Sequence, residues 1–259
     1  MSGDTTEDAL LGGRVALRQP KHGFRAALDP VFLAALVPAR AGERVLELGC
    51  GTGAAFLCLA ARVPGVAVVA VERDAALAAL AHHNAAANGC AAAVLCGDIA
   101  AAPAGPFHHA LANPPWWQAG TPSPDPLRRA AGFEGEDAPL EAWVREMARR
   151  LRHRGTLSLV LPAARWAGAA AAMQAAGVGE VALLPLRPRA GEPAKIVLLQ
   201  GRRDGRGPDR VLAGLPVHEA GGGYTAAATA VLRDAAPLTP PSAARPRAGT
   251  APPPPSGGP

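Results

Sequence analysis

The stretch RVLELGCGTG, residues 44–53, joins a short apolar segment to a turn that contains three glycines. Residues 44–49 have the length and composition of a buried strand, and residues 53–62 have helical spacing. Glycines permit a tight turn and let a ligand approach the backbone closely. In open α/β sheets, ligands bind at the carboxyl ends of the strands. The stretch therefore predicts a strand, a ligand-binding turn and a helix within an α/β domain.

The sequence on both sides of this turn continues an alternation of strands and helices. Predicted strands cover residues 44–49, 66–72, 92–98, 108–113, 156–162, 181–186 and 194–200. Predicted helices begin at Asp29-Pro30, with Asp29 as N-cap, and cover residues 53–62, 75–87, 139–152 and 163–176. This alternation predicts a doubly wound, mostly parallel sheet of seven strands. The PRAGEP segment between the last two strands is too short for a crossover helix, so we expect an antiparallel hairpin at a sheet edge.

The two ends of the chain differ in composition from its middle. Residues 1–9 are acidic and polar, and residues 237–259 are rich in Pro, Gly, Ser and Ala, so both are predicted to be disordered. We expect one domain over residues 10–236, in which residues 202–236 form an extension with a short helix capped by Thr225. The beginning is not a signal peptide and no run approaches a membrane span, which favours a cytoplasmic protein.

The net charge of +5 is a weak indication of a polyanionic partner. Apart from Lys21 and Lys195 the basic residues are arginines, and the abundance of Ala, Pro and Gly indicates a GC-rich coding sequence. The four cysteines form no CxxC pair, and the histidines offer no zinc spacing. We therefore expect reduced thiols and no metal.

The glycine turn and two acidic strand ends indicate the kind of cofactor. A dinucleotide site has GxGxxG and binds a pyrophosphate, whereas this turn is GxGxG with Ala54 in the dinucleotide position. That spacing favours S-adenosylmethionine (SAM), which has no phosphate. Glu72 ends the second strand, where a carboxylate can accept both ribose hydroxyls. Asp98 ends the third strand and could accept from the adenine amine while Ile99 packs on the ring, although a capping role explains it too. The predicted cofactor-binding residues are Glu47, Gly49, Gly51, Glu72, Asp98 and Asn113.

The tetrad Asn113-Pro114-Pro115-Trp116 follows the fourth strand and is the predicted catalytic site. A planar amine or amide nitrogen is a poor nucleophile because its lone pair is delocalised. The Asn113 side-chain oxygen and the Pro114 carbonyl can accept hydrogen bonds from its two N–H groups and draw the lone pair toward a methyl donor. The prolines fix the backbone, and Trp116 offers a stacking face. The loop 114–137, with Trp117 and Phe133, is the predicted lid.

ELGCGTG followed by NPPW resembles the amino-methyltransferases with an (N/D/S)PP(Y/F/W) motif. More specifically, the chain resembles the bacterial tRNA (adenine-N6)-methyltransferase family that modifies a valine tRNA near its anticodon. The resemblance spans roughly residues 11–236 and rests on GFRAALDPVFLAA (23–35), LELGCGTG (46–53), NPPWW (113–117), PLRPRAGEPAKIVLLQG (185–201) and VHEAGGGYT (217–225). It implies a Rossmann-like class I methyltransferase fold with Gly49, Gly51, Glu72 and Asp98 at SAM and residues 113–116 at the target amine. The resemblance also implies that Asp29 approaches the methionine end of SAM.

The tetrad by itself does not choose an acceptor, since adenine N6 and glutamine N5 both present a conjugated amine. Guanine N2 in rRNA and a small molecule are further alternatives. The short segment before residue 44 argues against the helical domain that usually accompanies glutamine methyltransferases. An RNA substrate, with tRNA favoured, would have to present its base unstacked or flipped out. Candidate phosphate contacts are Arg14, Arg18, Lys21, Arg25, Arg128, Arg129, Arg145, Arg149, Arg150, Arg152 and Arg154.

Overall fold

A computed structural model describes residues 5–22, 25–115 and 138–238, which form a large sheet with helices on both faces and a separate hairpin. The strands are β1 (Thr5–Leu10), β2 (Val15–Pro20), β3 (Arg44–Leu48), β4 (Ala67–Glu72), β5 (Ala92–Cys96), β6 (Phe107–Ala112), β7 (Leu151–Pro162), β8 (Val178–Arg187), β9 (Ile196–Arg203), β10 (Arg210–Val211) and β11 (Leu215–Pro216). The helices are α1 (Asp29–Leu36), α2 (Ala54–Arg62), α3 (Ala75–Ala87), α4 (Leu140–Ala148), α5 (Trp166–Ala175) and α6 (Ala226–Asp234). Short 3-10 turns cover Leu11–Gly13, Ile99–Ala101 and Ala163–Arg165.

The large sheet has the strand order β10-β8-β9-β7-β6-β3-β4-β5, and β11 also pairs with β8. β9 is antiparallel to both β7 and β8, while the other pairings in this sheet are parallel. The seven long strands and their antiparallel hairpin confirm the predicted fold class. The hairpin lies at the edge of the seven long strands, as predicted, with β9 beside β7 and β8 beyond β9. The two-residue strands β10 and β11 bring the sheet to nine strands.

Buried apolar side chains form one cluster on each face of this sheet. On one face α1, α2 and α6 contribute residues such as Leu33, Phe56 and Val231. On the other face α4 and α5 contribute residues such as Met147 and Met173. Burial of this kind is the main favourable term in folding. The carboxyl edge of the sheet, where β3, β4, β6 and β7 end, is thereby held between two packed layers.

The N-terminal hairpin of β1 and β2 corrects the expectation of disorder up to residue 9, since residues from Thr5 onward form a strand. Its acidic residues have basic partners. Glu7 accepts from Arg18 at 2.6 Å and Asp8 from Arg25 at 2.6 Å. A short acidic segment looks solvated in sequence when its ion-pair partners, here Arg18 on β2 and Arg25 after β2, lie further along the chain.

Asn84 of α3 joins this hairpin to the glycine-rich turn. Its side-chain oxygen accepts from the Arg18 N–H at 2.9 Å, and its amide nitrogen donates to the carbonyls of Arg18 and Thr52, both at 2.9 Å. One helical turn later, Asn88 makes the same pair of bonds with the backbone of Ala16. The side chains of Asn84 and Asn88 therefore make the backbone hydrogen bonds to β2 that a neighbouring strand would otherwise make.

The boundary between α4 and β7 differs from the prediction. A helix was expected over residues 139–152 and a strand over 156–162, whereas α4 ends at Ala148 and β7 begins at Leu151. The reason is Arg150, which is only 3% exposed. Its guanidinium donates to the carbonyls of Ala100, Ala102 and Pro103, and this tertiary contact ends the helix.

The extension after β9 covers the outer strand and α1. Both β10 and β11 pair with β8, and Val231 and Leu232 of α6 are buried in the cluster that contains α1. The Thr225 hydroxyl accepts from the Ala228 N–H at 3.1 Å, which confirms the predicted cap of α6. In the described ranges, no helix has the length and apolar character required to cross a membrane.

Candidate active site

The glycine-rich turn follows β3 and uses the conformational freedom of its glycines. Gly49, Gly51 and Gly53 have φ values of 66°, 55° and 93°, a region that side chains disfavour. The Gly49 N–H donates to the Val71 carbonyl at 2.8 Å, which holds the turn against β4. A Cβ on Gly49 would lie 2.6 Å from a ring carbon of Trp143 on α4. The turn thus needs glycine at this position for both its conformation and its packing.

Glu72 ends β4 with its carboxylate held by two backbone groups. One oxygen accepts from the Gly51 N–H at 2.8 Å and the other from the Asp74 N–H at 2.9 Å. The side chain is mostly buried, so few other positions are open to it. The carboxylate is therefore fixed beside the glycine-rich turn at the carboxyl edge of the sheet, where the sequence predicted a ribose-binding acid.

Glu47 lies in the interior beneath this turn and is 2% exposed. It accepts a backbone hydrogen bond from Phe56, which fastens the first turn of α2 to β3. Burial, with the nearby negative charge of Glu72, raises the pKa of Glu47 well above its usual range. Its Oε2 atom and the Thr52 hydroxyl are buried without a hydrogen-bond partner in the part of the chain that the structure describes. These are polar groups that an additional ligand at the turn could satisfy.

Asp98 follows β5 and its side chain is exposed. Its Oδ1 accepts from the Ala100 N–H at 2.9 Å, so it is the N-cap of the short 3-10 turn. The capping role considered from the sequence is thus present. Ile99 beside it is buried and packs with α4.

Asn113, Pro114 and Pro115 follow β6 directly beside the glycine-rich turn. Leu48 of β3 pairs with Ala112 of β6, so the chain leaves both strands at the same level of the carboxyl edge. The structure therefore brings the predicted cofactor turn and the first three tetrad residues together. Trp116 lies outside the described residues, as do Trp117, Phe133, Arg128 and Arg129.

Arg165 is a residue at this edge that the sequence did not single out. Its Nη1 donates to the Pro115 carbonyl at 3.2 Å. Arg165 lies in the 3-10 turn that follows β7, the neighbour of β6 in the sheet. The rule that pointed to Asn113, a polar residue just beyond the carboxyl end of a strand, would also have pointed to Arg165.

Asp29 is the first residue of α1, and Leu28 occupies the cap position. The prediction of Asp29 as N-cap is therefore wrong, because the Leu28 carbonyl accepts from the N–H groups of Val31 and Phe32. No side-chain capping bond compensates Asp29, and burial raises its pKa to about 6.

Most arginines proposed from the sequence as phosphate contacts have partners within the protein. Arg14 donates to the Arg233 carbonyl, and Arg149 and Arg150 pair with Glu146. Further ion pairs are Arg18–Glu7, Arg25–Asp8, Arg152–Glu43 and Arg154–Glu180. Arg152 and Arg154 begin β7 and therefore lie at the edge opposite the tetrad. These side chains are accounted for by the fold.

The site as a whole fits SAM. Glu72 presents an oriented carboxylate beside the glycine-rich turn, and the described residues provide no hydrogen-bond partner for the buried Glu47 Oε2 and Thr52 hydroxyl. The strand order and this carboxyl edge define a class I SAM-dependent methyltransferase.

The chain belongs to the methyltransferase small domain family, whose model matches residues 28–176. It is 31% identical over 210 residues to the tRNA1(Val) (adenine(37)-N6)-methyltransferase of Aeromonas hydrophila, covering 78% of this chain and 86% of that protein. The protein of that name from Tolumonas auensis is 31% identical over 147 residues, covering 56% of this chain and 62% of its own length. A predicted O-methyltransferase from Agrobacterium tumefaciens superimposes with a TM-score of 0.69 at 25% identity, over 82% of this chain and 99% of that one. The resemblance stated from the sequence is confirmed.

Proposed function

We propose that the protein methylates the exocyclic N6 amine of an adenine in tRNA. The observation that carries this proposal is the position of Asn113-Pro114-Pro115, directly beyond β6 and beside the glycine-rich turn after β3. Among the conjugated amines that this tetrad could accept, the relatives named for tRNA adenine methylation favour adenine N6. A tRNA substrate would agree with the cytoplasmic location expected from the sequence.

The proposed roles at the cofactor follow from the contacts of each residue. Glu72, oriented by two backbone N–H groups, would accept from the ribose hydroxyls. Gly49 and Gly51 would let the methionine portion approach the backbone. Asp98 would accept from the adenine amine through the carboxylate that also caps the 3-10 turn. Glu47 is buried and would act indirectly, because its hydrogen bond from the Phe56 backbone fixes the glycine-rich turn to α2.

The tetrad residues would orient the acceptor nitrogen and raise its reactivity. The Asn113 side-chain oxygen and the Pro114 carbonyl each accept from one N–H of the amine, which draws the nitrogen lone pair out of conjugation. Arg165 holds Pro115 in place through its hydrogen bond to the Pro115 carbonyl. SAM supplies an electrophilic methyl group on a sulfonium. Positioning and electrostatics thus provide the rate enhancement without a strong base.

A methyl-transfer assay with fractionated acceptors tests the substrate. We expect labelled SAM to modify tRNA, and nuclease digestion to yield N6-methyladenosine. The matched fractions are rRNA and total protein from a strain that lacks the gene. Label confined to protein would point to glutamine N5, and label confined to guanine in rRNA would equally contradict the proposal.

The substitution Asn113→Ala tests the tetrad. Removing one oriented hydrogen-bonding group from a preorganised site should lower kcat on the order of 10²–10³-fold. SAM affinity by calorimetry should change by no more than about twofold, since the tetrad mainly serves the acceptor. Gln174→Ala removes a surface amide that bonds Asp209 and serves as the control. Full activity of the Asn113 variant would refute the assignment.

A further inference from the structure

Trp166 is an exposed aromatic side chain at the edge of the sheet that carries the tetrad. It is the first residue of α5 and is 45% exposed, the largest of the exposed apolar side chains among the described residues. The buried face of α5 is provided by Ala169, Ala172 and Met173 instead. Exposing a tryptophan forgoes the burial energy of a large apolar surface and leaves an aromatic face on which a planar ligand can stack.

The chain before Trp166 connects it to the active site. Arg165 donates to the Pro115 carbonyl at 3.2 Å, so the residue next to Trp166 touches the tetrad segment directly. The start of α5 therefore lies within the reach of one arginine side chain from the tetrad segment. If a planar base is held at Asn113, the groups that are covalently attached to that base would therefore lie near Trp166.

The surroundings of Trp166 are basic. The Ala163 N–H donates to the Lys195 carbonyl at 2.8 Å, which brings the loop between β8 and β9 against the turn that precedes Trp166. Lys195 and Arg189 of this loop are exposed, and the loop's acid, Glu192, pairs with Arg189 at 3.3 Å. An aromatic face beside cations suits a stretch of single-stranded nucleic acid, whose bases stack while its phosphates meet positive charge.

We propose that Trp166 stacks on the base of a nucleotide that flanks the methylated adenine in the RNA. This inference rests on the proposed function and assigns a binding position beyond the tetrad. Arg165 sets the distance between this position and the tetrad, and Lys195 meets the adjoining backbone phosphate. Sequence-specific RNA enzymes bind unstacked loop nucleotides, and a base removed from its stack needs a replacement face.

The test compares Trp166→Ala with Trp166→Phe in the full chain. Loss of one stacked base should raise the Kd for an unmodified anticodon stem-loop, and the KM for tRNA, on the order of 5- to 150-fold. The KM for SAM should stay unchanged, and the Phe variant should keep most of the affinity because a ring remains. Val211→Ala, which removes an exposed apolar side chain on β10, should change neither constant.

The outcomes separate this inference from the proposed function. If wild-type protein methylates tRNA while Trp166→Ala binds RNA normally, the stacking position is refuted and the proposed function stands. If Trp166→Ala changes the KM for SAM or kcat with an unchanged RNA Kd, Trp166 packs on the protein itself and the inference fails. If wild-type protein neither binds nor methylates tRNA, both proposals fall.

Discussion

At the scale of single residues, Asp29 shows how a carboxyl group can be held in a fold at some energetic disadvantage. Its carboxyl is partly buried at the start of α1, where Leu28 takes the cap position that would have engaged it. Burial raises its pKa from an ordinary value of 3.8 to about 6. Among the described residues no side-chain capping bond is made at this helix start, and the family resemblance implies that Asp29 approaches the methionine end of SAM.

Asp29→Asn should therefore stabilise the SAM-free protein at neutral pH. Between pH 4 and 6 the native state binds more protons than the unfolded state, so this group's contribution falls as pH rises through that window and is constant above it. Two pKa units correspond to about 2.7 kcal/mol, and partial exposure reduces this to about 1–2 kcal/mol at pH 8. Urea unfolding at pH 4.5 and pH 8 measures it.

Asp234→Asn, which removes an exposed carboxylate at the end of α6, is the matched control. A difference between wild type and Asp29→Asn that is equal at both pH values would contradict the expectation. If Asp29 approaches the methionine end of SAM, as the resemblance implies, the Asp29→Asn variant should bind SAM more weakly.

At the scale of elements, the glycine-rich turn is constrained by α4 as well as by its own backbone. Gly49 and Gly42 both have positive φ, 66° and 82°. An added Cβ at Gly49 would meet the Trp143 ring at 2.6 Å, whereas at Gly42 it would meet nothing within 4 Å. The two positions therefore differ in packing while sharing the same type of backbone constraint.

Alanine at each position separates these contributions. Gly42→Ala should cost roughly 1–2 kcal/mol from the left-handed conformation alone. Gly49→Ala should cost a further 1–3 kcal/mol, roughly, because the overpacked Trp143 ring has to move. Urea titrations of the two variants give their free energies of unfolding. Equal losses in the two variants would show that α4 moves to accommodate the added Cβ at Gly49.

The same scale shows what the sequence could predict. Apolar alternation gives the strands and the helices, including α3 at residues 75–87, because these depend on local periodicity. The strand β1 and the early end of α4 depend on Arg18, Arg25 and Arg150 finding partners far along the chain, which periodicity does not encode. Asn113 and Glu72 could be named from the sequence because they lie at predicted strand ends. Which arginines are engaged in ion pairs and which could bind phosphate could not be predicted, because their partners lie far along the chain.

At the scale of the whole molecule, the charges divide between the two edges of the sheet. Arginines at the amino end of β7 and at the carboxyl end of β9 pair with Glu43, Glu180 and Asp204. The carboxyl edge carries Lys195 and Arg189 in the loop between β8 and β9, where Arg189 pairs with Glu192 at 3.3 Å, and it also carries the acids Glu72 and Asp98.

Removing two charges from each edge tests this division. Arg189→Gln with Lys195→Gln should weaken binding of tRNA and lower the slope of log affinity against log salt by between about 1 and 2, as for two lost phosphate contacts. Arg152→Gln with Arg202→Gln removes two exposed charges at the opposite edge and should leave the slope unchanged. Equal effects of the two double variants would mean that the RNA lies elsewhere.

The reversed direction of β9 has a consequence for how such a protein diversifies. Because β9 starts where β8 ends, the connection between them is a bare surface loop, whereas parallel neighbours need a crossover helix that is part of the core. Loops of this kind accept insertions and exchanges at little cost to stability. The sequence of the loop between β8 and β9 can therefore change while the sheet keeps its register. Such changes would allow an unchanged catalytic centre to act on new acceptors.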